Sequence, residues 1–311
     1  MKEPIRQFIF KALFFIALIL LLDTGIGGLL NHFYFTQKAG DDYRATYAIE
    51  NAREQVIILG ASRASHQYLP EIIEKRLKMS CFNTGRDGAS IFYSYGILKA
   101  LSSRYRPELI ILDFSRDFEK KQNSYDRLAM LAPYYHRHPE IKPIIEIRSK
   151  YEKFKMYSGI YPFNSYLFSI AQRNTNYNIE NLKDVKGYTP LFRKWNRPAD
   201  NDSSFLKYDI DSSKVEIYKS IIKECNGSRV NLVIVAAPFF NNAKTEDIST
   251  KLAKQIAVQY HVPFFDFSKD SSFRNKPEYF ADISHLNDEG ARKFTNLVLD
   301  SIINSPALWK H

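Results

Sequence analysis

Val56-Ile57-Ile58-Leu59 runs without a polar residue into Gly60-Ala61-Ser62-Arg63. An apolar, β-branched run of that length reads as a strand buried on both faces, the signature of a parallel sheet. Parallel strands need long crossovers, usually helical, so the chain is committed to an α/β arrangement. Ligands of open α/β sheets bind beyond the carboxyl ends of the strands. Ser62 stands at such an end, after a glycine that permits a tight turn. Its hydroxyl either faces the crevice or caps the helix begun by Arg63 to Gln67 and Pro70-Glu71-Ile72-Ile73. This stretch alone leaves both readings open.

The alternation continues along the chain. Ile72, Ile73 and Leu77 share a helical face, and a short strand, Ser80 to Asn83, leads into Thr84-Gly85-Arg86-Asp87-Gly88. Ile91, Tyr95, Leu98 and Leu101 mark a helix, and Leu109 to Phe114 a third strand. From Glu119 to about Leu206 the pattern is lost and aromatics crowd in: Tyr134, Tyr135, Tyr157, Tyr161, Phe163, Tyr166, Phe168, Tyr188, Phe192 and Trp195. This stretch reads as a partly helical insertion over the carboxyl edge of the sheet. Its rings serve as core or, for a minority, as platforms for saccharide stacking. The sheet pattern then resumes with a helix over Val215 to Lys223, a strand over Val230 to Ala236, a helix over Glu246 to Tyr260 and a strand over Pro263 to Phe267. The last helix spans Asn287 to Asn304, with Asn287 as its cap.

Ahead of this domain, Phe8 to Leu30 is mostly apolar, preceded or entered by Lys2, Arg6 and Lys11. Its length suits a bilayer-spanning helix with the basic flank cytoplasmic. A cleaved signal peptide is the rival reading, without a clear small-x-small cleavage site. Residues 1–35 are thus expected to be an anchor, 36–54 a polar stalk, and 55–311 the domain, facing outward. The net charge of +10 comes from scattered Lys and Arg, which suits an anionic surface and carries no nucleic-acid motif. Cys81 and Cys225 fit neither a disulfide scaffold nor a zinc site, although they could pair with each other. His136-Arg137-His138 lacks companion ligands and reads as exposed loop, and His66, four residues after Ser62, either lines the pocket or packs on the first helix, with packing the preferred reading. No metal or cofactor is expected.

Chemistry concentrates before the last helix, in Phe280-Ala281-Asp282-Ile283-Ser284-His285-Leu286-Asn287. A serine hydroxyl is a poor nucleophile at neutral pH; an imidazole must take its proton and a carboxylate must orient that ring. Asp282 and His285, on a loop after the last strand, can reach the edge where Ser62 stands, or merely turn the chain into the helix.

Gly60-Ala61-Ser62, Asn83-Thr84-Gly85-Arg86-Asp87-Gly88 and Asp282-Ile283-Ser284-His285-Leu286-Asn287 resemble, in order, the first, second and fifth blocks of the SGNH/GDSL hydrolases. The resemblance covers most of residues 55–305 apart from the insertion. It implies a flavodoxin-like three-layer α/β/α sandwich, Ser62 as nucleophile, His285 as base and Asp282 as its orienter, with the N–H groups of Ser62 and Gly88 lining an oxyanion hole. Two departures stand out. Ala61 replaces the usual Asp of Gly-Asp-Ser, and the third block lacks its Asn, the matching strand ending Asp113-Phe114-Ser115-Arg116-Asp117 with Arg116 as a substitute donor. The resemblance to membrane-anchored envelope branches implies a serine-dependent hydrolase or transferase of a small acyl ester, such as acetyl, on an extracytoplasmic glycan or related polymer. A non-catalytic module that binds glycan or a partner protein through the aromatic insertion is the alternative.

Overall fold

The computed structural model describes residues 3–174, 186–196, 208–240, 246–305 and 308. Among these, strands β1 (Val56–Leu59), β2 (Cys81–Asn83), β3 (Leu109–Asp113), β4 (Asn231–Ala236) and β5 (Phe264–Asp266) form one parallel sheet in the order β2-β1-β3-β4-β5. That is the flavodoxin-like order, whose topological switch point falls between β1 and β3. The helices that matter here are α1 (Glu3–Phe35), α2 (Gly40–Thr46), α3 (Ser62–Gln67), α4 (Pro70–Leu77), α5 (Ile91–Ser102), α6 (Ser212–Gly227), α7 (Ile248–Gln259) and α8 (Asp288–Ile303).

Two-residue periodicity sends alternate strand side chains to opposite faces. Ile57, Leu59, Ile110, Leu112, Leu232 and Ile234 pack under α5, α6 and α7. Val56, Ile58, Leu109, Ile111, Val233 and Val235 pack under α3, α4 and α8. Both faces are therefore covered, which is why the strands read as continuous apolar runs rather than alternating ones. The result is a three-layer α/β/α sandwich.

Three expectations change. Residues 36–54 are not a stalk: Ala45, Ala48, Ile49 and Ala52 lie in the core beneath α5, and Asp42 and Arg44 are buried with partners. Cys81 and Cys225 are both free and sit in the two separate cores, on opposite faces of the sheet, so they form no bond. The insertion does not simply lie over the carboxyl edge. Its short helical turns between Gln122 and Asn174 bury Tyr134, Tyr135, Phe163 and Tyr166 against α5 and the end of α1, where Tyr34 meets the Tyr134 and Tyr166 rings at 6.0 and 5.2 Å. Among the described residues, 186–196 form a limb that returns beside the carboxyl edge, and Arg127 reaches over Gly88 there. Tyr157, Phe168 and Phe192 are exposed. The rest of the expected insertion, 175–185 and 197–206, lies outside the described residues.

α1 is 33 residues long, with an 18-residue window of mean hydropathy 2.3 and an exposed surface over most of its length. At about 1.5 Å per residue it is roughly 50 Å long, more than the ~30 Å hydrocarbon core of a bilayer.

Candidate active site

β1 ends at the switch point. Gly60 turns the chain there at φ +156°, and a Cβ on it would come within 2.7 Å of the Ala64 Cβ. Ala61 is the N-cap residue of α3, so Ser62 occupies the first helical position and does not cap the helix. Its N–H has no acceptor among the described residues, as is usual for the first turn of a helix. The hydroxyl is committed across the crevice: Ser62 Oγ lies 2.8 Å from Nε2 of His285.

His285 is presented by a tight loop closed by the bridge between Phe280 and Leu286 and by Ala281 N–H donating to His285 C=O at 2.8 Å. Asp282 organises it. Its Oδ1 accepts from Ser284 N–H at 2.9 Å, from His285 N–H at 3.0 Å and from the ring Nδ1 at 2.9 Å, while Oδ2 accepts from Arg193 Nη2. Burial pushes the Asp282 carboxyl up, but the bonds from the His285 ring and the loop amides prevail and hold it well below the usual carboxylate range. An ionised carboxylate is acceptor-only, so Nδ1 carries the ring proton and Nε2 keeps the lone pair that faces Ser62. Asn287 then caps α8 by accepting from Gly290 N–H at 3.0 Å.

The loop after β2 is tied down by its first residue. Asn83 donates from Nδ2 to the carbonyls of Ala64 and Tyr68 at 2.7 and 3.0 Å and accepts Gly85 N–H at 2.9 Å, locking the loop to α3. Gly88 has φ +71°, and its N–H, like that of Ser62, has no acceptor among the described residues. Behind it, buried Arg86 donates to Asp42 Oδ1 at 2.6 Å, so the segment expected to be a stalk braces this loop. Over Gly88 lies the Arg127 guanidinium, whose Nη1 would be 1.2 Å from a Cβ placed there.

His66, with packing the preferred of its two readings, borders the site. Its ring meets that of His285 edge-on at 5.5 Å; Nδ1 donates to Thr189 C=O at 2.6 Å and Nε2 lies 3.1–3.2 Å from the Asp87 carboxylate oxygens. Burial alone would lower the His66 pKa, but Asp87 outweighs it and the net shift is upward. Arg116 departs from its expected role. Its guanidinium is held by Glu119 at 3.1 Å, by Asp247 at 3.7 Å and over the Tyr208 ring at 4.8 Å. The neighbouring Arg63 instead ties the edge together, donating to Ser115 Oγ at 2.6 Å and to the carbonyls of Ala237 and Pro238. His136 and Arg137 are exposed, and His138 is half-buried between Glu50 and Glu140.

The structure thus brings Ser62, His285 and Asp282 into one line at the switch point of a parallel sheet, with the Ser62 and Gly88 amides in adjoining loops. This is the geometry that serine-dependent acyl transfer requires. Arg193, Arg127 and Asp42 went unread as neighbours of the site, because nothing in the spacing of an aperiodic insertion or a polar linker points to sheet-edge residues so distant in sequence.

No family model matches the chain, and no curated protein matches its sequence. Among solved structures, the chain is similar to an acetyl xylan esterase, with 12% identity and a TM-score of 0.42 over 79% of this chain and 98% of that one. It is also similar to a lipase/acylhydrolase from Enterococcus faecalis, with 9% identity and a TM-score of 0.40 over 80% of this chain and 95% of that one. At these scores the similarity carries no weight for function, which has to come from the site.

Proposed function

We propose that the protein is a membrane-anchored, outward-facing hydrolase or transferase of the SGNH/GDSL type, acting on a small acyl ester of an envelope glycan or related polymer. The observation that carries the reading is the 2.8 Å contact between Ser62 Oγ and His285 Nε2, backed by the Nδ1 bond to Asp282. Nε2 takes the hydroxyl proton as Ser62 Oγ attacks the acyl carbonyl. Negative charge develops on the carbonyl oxygen, within reach of the unpaired N–H groups of Ser62 and Gly88. The tetrahedral species collapses as His285 returns the proton to the leaving sugar oxygen, leaving the acyl group on Ser62. Water, or a sugar hydroxyl in a transferase, then attacks the acyl-enzyme with His285 again as base.

The missing Asn of the third block removes one expected oxyanion donor, and a single donor is worth roughly a hundredfold to a thousandfold in rate. In that third-block loop Arg63 donates to Ser115 Oγ at 2.6 Å, and Arg127 stands over Gly88. The α1 helix supplies the anchor, with its Arg6 and Lys11 end cytoplasmic. Five of the described insertion rings, Tyr134, Tyr135, Phe163, Tyr166 and Tyr188, are core and so closed to a glycan, and a purely binding module has no use for the Ser62–His285 contact.

The test is labelling of the full-length protein with a fluorophosphonate that reacts with activated serines. Wild type is expected to label, and Ser62→Ala and His285→Ala to remain unlabelled. Equal labelling of wild type and both variants, or none in the folded wild type, would refute the reading.

A further inference from the structure

The insertion carries an aromatic edge that the proposed catalysis does not use. Tyr151, Phe154 and Tyr157 are 57%, 65% and 78% exposed. They follow one another at intervals of three along a helical turn with both i to i+3 bonds (Phe154 N–H to Tyr151 C=O at 3.0 Å, Tyr157 N–H to Phe154 C=O at 3.2 Å) and i to i+4 bonds (Lys155 N–H to Tyr151 C=O at 3.1 Å, Met156 N–H to Glu152 C=O at 3.1 Å). Side chains three apart are neighbours on a helix surface, so the rings project from one side. The opposite side faces inward. Glu152 is buried against Arg148 and Tyr161, and Met156 is buried in the core. Lys150 and Lys153 flank the rings and are exposed.

The same segment is clamped to α1. Asp23, the one acidic residue inside the apolar stretch, has its carboxylate capped by Ser158 Oγ at 2.6 Å, Gly159 N–H at 2.7 Å and Ile160 N–H at 3.3 Å. One turn on, the helix meets this loop so closely that a Cβ on Gly27 would lie 2.4 Å from the Gly159 carbonyl carbon. A helix crosses the hydrocarbon core in about 20 residues. Counted from Phe8, the crossing ends near Gly27, at the level of this clamp. The turn 158–160 therefore sits at the boundary between acyl chains and headgroups, and the aromatic edge leads directly into it.

We propose that residues 147–158 form a second membrane-contacting element, resting in the headgroup–acyl boundary of the bilayer that α1 enters, with Tyr151, Phe154 and Tyr157 immersed. This inference rests on the anchor reading of α1. Amphipathic rings suit that boundary, and lysines beside them reach the phosphates with their stems on the apolar side. Two attachments in place of one fix the tilt of the domain, so that its site stands at a set height above the membrane.

The test uses the full chain reconstituted in phosphatidylcholine–phosphatidylglycerol vesicles whose acyl chains are brominated at either a shallow or a deep position. Phe154→Trp and Leu18→Trp are compared with wild type, whose own tryptophan signal is subtracted. The expected result is a blue-shifted emission from Phe154→Trp that shallow bromines quench more than deep ones, and an emission from Leu18→Trp that deep ones quench more. Quenching of Leu18→Trp alone would overturn the second contact and leave the anchor standing. Quenching of neither would overturn both. Tyr157→Trp repeats the measurement should Phe154→Trp fail to fold, as judged by its melting curve.

Discussion

Replacing Asp42 by Ala isolates the contribution of the juxtamembrane segment to the site. In the native protein the Arg86 and Asp42 side chains are 8% and 4% exposed and joined at 2.6 Å, and Ser169 Oγ donates to the second carboxylate oxygen at 3.1 Å. Truncating Asp42 leaves a guanidinium buried without its counter-charge, which costs about 3–5 kcal/mol. For a domain of this size each kcal/mol lowers the melting temperature by roughly 2–4 °C. The expected fall is therefore about 6–20 °C, read by circular dichroism on detergent-solubilised full-length protein. Glu71→Ala serves as the control. Glu71 pairs with Arg292 at 2.8 Å with both side chains about half exposed, so its loss costs under about 1 kcal/mol. Replacing both partners by apolar residues, Asp42→Leu with Arg86→Met, recovers most of the loss, because the penalty lies in the orphaned charge. Since Arg86 precedes Asp87 and Gly88, Asp42→Ala also lowers esterase turnover below the melting transition. Indistinguishable melting of Asp42→Ala and Glu71→Ala would refute the bracing argument.

Three further outcomes follow from the site and its surroundings. Asp282→Asn, which loses the ionised acceptor that sets the His285 tautomer, is expected to lower kcat by roughly 10³–10⁴-fold with little change in KM, measured on a chromogenic acetyl ester. In wild type the depressed Asp282 pKa means that its stabilising contribution is complete above about pH 4 and is lost only as pH falls below that, so Asp282→Asn lowers the melting temperature at neutral pH and less at strongly acid pH. Burial pushes the Asp117 carboxyl up to about 7 against the opposing bond from Ser115 N–H; its contribution to stability is full below about pH 4 and is lost as pH rises through 7, so Asp117→Asn raises the melting temperature at pH 8 and much less at pH 4. Gly88→Ala places a side chain at φ +71° and against Arg127, costing about 1–2 kcal/mol in backbone strain alone, and is expected to cut kcat in a protein that still folds, a loss that circular dichroism and ester assays together separate from unfolding.

The parallel sheet was legible because its strands are short apolar runs, and burial on both faces leaves no polar alternation to confuse them. Ser62, Asp282 and His285 were legible as candidates because each lies on a loop at a strand's carboxyl end, where topology alone brings distant segments together. The segment 36–54 was misread for a physical reason. Asp42 and Arg44 are buried, and their partners are far off in sequence: Arg86 lies 44 residues from Asp42 and Thr189 lies 145 from Arg44. Polarity signals solvent only until a partner of opposite charge is found. Arg193 and Arg127 illustrate the same limit, since an insertion without periodicity gives no hint of which of its residues return to the sheet. Asp23 is acidic inside an apolar helix, and three hydrogen bonds from the 158–160 turn satisfy it, partners that the local sequence does not reveal.

The central claim is that Ser62 carries an acyl group through the reaction. The most direct measurement is peptide mass spectrometry of full-length protein quenched in acid during turnover of an activated acetyl ester. The account predicts acetylation of the peptide containing Ser62 in wild type, none at that position in Ser62→Ala, and a greatly slowed appearance in His285→Ala. Turnover by the folded protein with no acyl group on Ser62, or with the group on another residue, would contradict it.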